Sequence, residues 1–135
     1  MISIKKIIVL FAFFCLVFLI CSKETTEQNN VNPVEYLLSF GWHIEEKISE
    51  RTQDANKPVD LNAMYTGIDL KPYKEVHITT YLLKEKQKTG KKLYADIYQV
   101  NEDIIGGYGS AEGLVPGTFS LKDKEELIKE GLINK

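Results

Sequence analysis

Fourteen consecutive apolar residues, Ile7 to Ile20, follow Lys5 and Lys6 and end at Cys21. The chain then turns polar at once, through Ser22, Lys23, Glu24 and Thr25. A membrane-crossing helix needs roughly 20 apolar residues, whereas a run of about 10–14 suits the apolar region of an export signal. Two lysines ahead of the run orient such a segment with its start in the cytoplasm. This feature also limits how the rest folds. Both cysteines, Cys15 and Cys21, belong to the signal and its exit. An exported domain is free to use disulfides, but here none is available, so the domain has to stand on its apolar core. Cysteine-based zinc sites and redox pairs are excluded on the same ground.

An ordinary signal peptidase cuts after small residues in an A-x-A pattern. Phe18, Leu19 and Ile20 stand here instead. The run Leu19, Ile20, Cys21 resembles the lipobox of bacterial lipoproteins, although that family prefers Gly, Ala or Ser where Ile20 stands. The resemblance implies a lipid on the Cys21 sulfur and cleavage just before it. The alternative is an uncleaved signal anchor with Cys21 at the interface. Either arrangement holds the domain at the outer face of the cell membrane. Stable lipid anchoring takes two acyl chains rather than one. The expected organisation is a signal peptide over 1–20, a lipidated cysteine and flexible tether over 21–31, and one globular domain over 32–135. Ser22 to Asn30 contains nothing apolar to bury, which is why it reads as tether.

About a hundred residues make one domain with one core. The whole chain carries a formal charge of −2, and losing Lys5 and Lys6 makes the domain more negative still. Nucleic-acid binding needs a basic face, so no nucleic-acid partner is expected.

The domain opens on a helix signal. Asn32 suits the cap, Pro33 the first helical position, and Glu35 the third, as in a capping box. Val34, Leu37 and Leu38 predict its apolar face, and Gly41 its stop. Trp42, Ile44 and Ile48 alternate with His43, Glu45 and Lys47, which predicts a strand with one wet face and Trp42 in the core. Arg51 to Pro58 is polar and reads as loop. Leu61, Met64 and Tyr65 predict the apolar stripe of a short helix, with Asp60 as cap and Gly67 as end.

Gly67 to Tyr73 reads as a turn-like link. Val76–Leu83, Leu93–Val100 and Ile104–Tyr108 predict three strands of an antiparallel meander, turning at a lysine-rich tip and at Asn101-Glu102-Asp103. Ser120 caps a last predicted helix, Leu121 to Glu130, which Gly131 stops. The predicted class is α+β: an antiparallel sheet of about four strands with an N-terminal helix, a short middle helix and a C-terminal helix.

The segments Tyr36-Leu37-Leu38-Ser39-Phe40-Gly41-Trp42, Gly67-Ile68-Asp69-Leu70 with Tyr73, and Ile104-Ile105-Gly106-Gly107 resemble a family of small lipoproteins from bacillus-like and clostridium-like bacteria. That family is known only as a domain of unknown function. The resemblance spans most of Pro33 to Gly113, and the helix around Met64 is shorter than is usual there. It implies export and an α+β domain, and supplies no reaction.

Motifs for chemistry are sparse. From Gly107 the chain reads G-Y-G-S-A-E-G, one residue too long for a dinucleotide loop, and no Gly-Lys-Ser/Thr follows. These glycines read instead as bends in a strand and a sharp loop. Two histidines, His43 and His77, are too few for a zinc site of three or four close ligands. Neither a G-x-S-x-G elbow nor an acidic calcium loop is present.

The candidate contact surface is therefore Tyr81, Tyr94 and Tyr98 on neighbouring strands, with Lys88, Lys91 and Lys92 of the cluster at 84–92. Tyrosine offers large area with a polar tip. Lysines near a membrane or wall polymer attract anionic groups, but they also guard exposed hairpins against sticking. The function expected is a non-catalytic interaction module, tethered to the membrane through its lipid anchor, with an unidentified protein or cell-wall partner and no metal or cofactor. The alternative is a small extracytoplasmic enzyme with an unrecognised site.

Overall fold

The computed structural model describes residues 30–55, 57 and 61–135. The signal, Cys21 and Asp60 lie outside the described residues. Helix α1 (Pro33–Ser39) leads into strand β1 (Ile44–Asp54), short helix α2 (Leu61–Tyr65), strands β2 (Glu75–Lys86), β3 (Lys92–Val100), β4 (Asp103–Ala111) and β5 (Thr118–Phe119), a 3-10 turn (Leu121–Asp123) and helix α3 (Lys124–Lys129). The five strands form one sheet in chain order, every neighbour antiparallel. The architecture is α+β, with a fifth, two-residue strand beyond the predicted meander.

Local chemistry explains the element ends. Asn32 Oδ1 accepts the Glu35 amide at 2.9 Å, and Pro33 occupies the first turn of α1. Gly41 has φ +84°, a left-handed conformation that costs a glycine nothing. The β3–β4 hairpin turns on two residues, Asn101 and Glu102, with φ +48° and +71°. Positive φ at both central positions matches the right-handed twist of the flanking strands.

The sheet carries a core on each face. Leu83, Leu93, Ala95 and Ile97 face α1, Trp42, the 3-10 turn and Ile133. On the other face Val76, Ile78, Tyr98 and Tyr108 pack with Ala63 of α2, and with Ile68, Leu70 and Tyr73 of the link that follows it. Trp42 is fully buried, as its pattern predicts.

Four expectations need correction. In α1 only Leu37 is buried, while Val34 and Leu38 are exposed. Tyr36 and Phe40 supply the rest of the packed face, their rings in an edge contact at 5.2 Å. Ile48 is exposed because β1 shifts register twice against β2, between Ile44 and Glu46 and between Lys47 and Ser49. Each added residue breaks the period of two. Arg51–Asp54 is strand rather than loop, since it pairs with β2 from Ile78 down to Glu75. Finally, Leu61, Met64 and Tyr65 of α2 point outward, and Ala63 is the residue that packs.

Candidate functional site

One opening lies beside α2. Thr66 closes that helix by donating its hydroxyl to the Asn62 and Ala63 carbonyls, at 2.9 and 3.1 Å. The chain then doubles back, with the Ile68 amide on the Ala63 carbonyl at 2.9 Å. Asp69 accepts the Lys71 amide at 3.0 Å and tightens the following bend. Between this link, α2 and the end of β1 lies a cleft of about 430 Å³. Ala55, Ala63, Met64, Ile68 and Leu70 make its floor and walls, and Gln53, Lys57, Asp69 and Lys71 its polar rim. Small-molecule sites have this character: concave, mostly apolar, with a few polar groups, and about 300–1,000 Å³.

The residues proposed as a contact surface do not assemble into one. Tyr98 is fully buried against Tyr108, ring centroids 5.8 Å apart, so it contacts nothing outside. Tyr94 stands directly opposite Leu82, and Tyr81 opposite Ala95, which puts Tyr81 and Tyr94 on opposite faces. Tyr81 is half-buried, and burial pushes its phenol up, against the pull of nearby Lys47. Lys88, Lys91 and Lys92 are exposed at the β2–β3 tip. There Lys88 Nζ lies over Gly131 and Lys91 Nζ over Gly113.

Sequence reasoning missed two polar clusters. Thr80, Asp96 and Tyr108 face one another across β2, β3 and β4. Asp96 Oδ1 accepts from Thr80 Oγ1 at 2.6 Å, while Oδ2 accepts from Tyr108 OH at 3.0 Å and from Arg51 at 3.5 Å. No sequence signal marks this row, because only the strand register brings the three together. A lone carboxylate with both oxygens engaged ties strands together. General acid–base work on a bond asks for a second group within hydrogen-bond reach of substrate.

The second cluster closes the sheet against Trp42. Lys124 Nζ donates to the Gly41 carbonyl and to Glu85 Oε1, the latter at 3.0 Å, and sits 5.0 Å from the Trp42 ring centre. His43 Nδ1 meets the same Glu85 oxygen at 2.6 Å, and the His43 amide donates to Oε2 at 3.1 Å. Burial raises the Glu85 carboxyl, but the hydrogen bonds from His43 and Lys124 together outweigh it and hold the group below its usual range. This cluster fixes Trp42 and α3 on the sheet.

Among the described residues no group of three His, Cys, Asp or Glu side chains is placed to hold a metal ion, and no helix is long and apolar enough to cross a membrane. No family model, curated protein or solved structure matches this chain.

Proposed function

We propose that the protein is an exported, non-catalytic binding module held at the outer face of a membrane by lipid on Cys21, and that the cleft beside α2 is where it meets its partner. The observation carrying this reading is the order of the first thirty-two residues: lysines, an apolar run, Cys21, a polar stretch, then Asn32, the cap of α1. A binding role is favoured by the commitments of the polar clusters. Asp96 and Glu85 each spend both oxygens inside the fold, and the cleft offers apolar area with a thin polar rim. The partner is a protein or a component of the cell wall.

Export is tested on intact cells with an amine reagent that does not cross membranes. Lys88 and Lys91, both exposed at the hairpin tip, are expected to be modified before lysis. Modification that appears only after lysis contradicts the outside location.

A further inference from the structure

We infer that the β2–β3 hairpin end of the sheet is a second interaction surface, which takes an acidic, extended protein segment by seating one of its apolar side chains in a socket beside lysines. This surface is separate from the cleft beside α2 and does not depend on lipid at Cys21. The socket, of about 100 Å³, lies between the loop that joins β4 to β5 and the chain that follows α3. Leu93 and Phe119 line its base, Leu114 and Pro116 one wall, and Leu127 and Leu132 the other. A small-molecule site takes about 300–1,000 Å³, so this one has the scale of a single side chain.

Apolar surface stands at the mouth of the socket. Leu114 is 46% exposed, Leu132 42%, and Val115, between the lining residues Leu114 and Pro116, 99%. The walls are held in place. Gln87 is buried, and its Nε2 donates to the Lys92 carbonyl at 3.2 Å and to the Glu112 carbonyl at 2.8 Å. Across from it the Lys88 amide donates to the Leu132 carbonyl at 3.0 Å, and Gln87 bridges Ile133. Fixed walls suit an anchor, because binding energy concentrates where a side chain enters a pre-formed, well-packed pocket.

Charge says what kind of segment fits. The hairpin carries Lys84, Lys86, Lys88, Lys91 and Lys92, all exposed and none in an ion pair among the described residues. Lysines often guard a sheet edge against pairing. Here β2 and β3 are interior strands, each paired on both sides, so the hairpin has no edge to guard. Lys91 Nζ lies instead over one wall, 2.7 Å from where a Gly113 Cβ would stand, and Lys88 Nζ over the other, 3.5 Å from that of Gly131. The opposing carboxylates are Glu85, engaged by His43 and Lys124, Glu112, whose Oε2 accepts the Lys92 amide at 2.9 Å, and exposed Glu130. Acidic residues on a partner would complement this excess of lysine and fix its register. A purely anionic polymer leaves the apolar mouth wet, and a flat bilayer leaves the socket unfilled. A protein segment with acids on either side of an apolar residue covers both.

The test is a selection from a random peptide library displayed on phage, with the full chain in detergent micelles as the target. Two double variants serve as comparison targets: Lys88→Glu with Lys91→Glu, and Val115→Ser with Leu132→Ser. All four positions are exposed, and an unchanged emission maximum of Trp42 certifies the fold. The expected selection enriches peptides in which Asp or Glu flanks a single Leu, Ile, Met or Phe. Made synthetically, those peptides should bind the wild type saturably and lose about tenfold or more in affinity to each double variant, the scale of losing anchoring contacts. Added salt should weaken them, because it screens the lysines.

Enriched peptides without flanking acids, or peptides that bind both double variants as well as the wild type, overturn the inference. So does a selection with no enrichment above that on the variants. Polyglutamate that binds as tightly as the selected peptides overturns it in favour of a polyanion site in which the socket has no part. Monomeric short-chain anionic phospholipid that displaces the peptides overturns it in favour of a membrane contact. A mass that doubles with concentration, and no longer does so in the double variants, overturns it in favour of a second copy. Each of these outcomes leaves the lipid on Cys21 and the cleft beside α2 standing.

Discussion

Trp42→Ala is expected to lower the unfolding free energy by about 3–5 kcal/mol, the usual cost of truncating a buried aromatic to alanine. The ring has no exposed surface. Its Nε1 donates to the Leu121 carbonyl at 2.8 Å, so truncation leaves that buried acceptor unpaired as well as opening a cavity. Phe119 packs at 5.5 Å between centroids, and Lys124 lies over the ring. The indole thus joins α1, β5 and the C-terminal helix at one point. A domain of this size holds about 5–15 kcal/mol in all, so the variant should sit near the edge of folding. Denaturant unfolding of the two chains measures the difference. A loss under about 1 kcal/mol, the range of ordinary surface substitutions and mild mutants, is incompatible with Trp42 as the central core residue.

Gly109→Ala should be nearly as harmful, although alanine is small. A Cβ at Gly109 would stand 2.1 Å from the nearest Phe119 ring atom. Phe119 cannot retreat freely, because Trp42 is behind it and β5 offers two residues of pairing, Gly109 with Phe119 and Ser110 with Thr118. Over-packing of this kind costs about 1–3 kcal/mol, and the closeness of the clash places this case at the upper end. The readout is the unfolding midpoint together with the near-ultraviolet circular dichroism of Trp42, which should fall as Phe119 leaves it. A variant that keeps both the midpoint and the Trp42 signal contradicts the packing of Phe119 on the sheet. The crowded glycines of β4 are accordingly places where side chains from elsewhere lie on the strand. Gly106 meets Ile68 in the same way, and Gly107 meets Ile97 and the Asp96 carbonyl of β3 first and Leu121 after them.

Features fixed by neighbours in the chain were legible in the sequence. The Asn32 cap, the Gly41 stop and the two-residue turn between β3 and β4 all depend on residues within a few positions of one another, whereas the helix expected from Leu121 opens as a 3-10 turn capped by Ser120 and becomes α-helix only at Lys124. What depended on partners was not. The second half of β1 looks like loop because its residues are polar, yet an antiparallel neighbour supplies its hydrogen bonds. Strand β5 has no signal at two residues and exists because Phe119 fits over Gly109.

The same limit applies to the candidate site. The strand expected over Leu93–Val100 is there, with Leu93, Ala95 and Ile97 on one face and Tyr94, Asp96 and Tyr98 on the other, but its pattern does not reveal what covers that other face. The far face has a second core, and Tyr98 lies inside it. The stripe Leu61, Met64, Tyr65 carried the opposite error. Its period announced a helix correctly, but its direction relative to the sheet is set by Ala63 and the Ile68–Leu70 link, which no local pattern reveals. The cleft arises from that same link and was therefore invisible.

Lipid on Cys21 would set both the location and the anchor of the domain, and fatty-acid labelling of living cells reads it out. Wild-type chain and Cys21→Ala are expressed with an alkyne-bearing fatty acid, and the membrane and soluble fractions are compared. The expected result is a label on the wild type that disappears in Cys21→Ala, because stable anchoring by acyl chains needs the diacyl attachment this thiol would carry. A label that persists in Cys21→Ala, or a wild type that never takes one, contradicts lipid anchoring at Cys21.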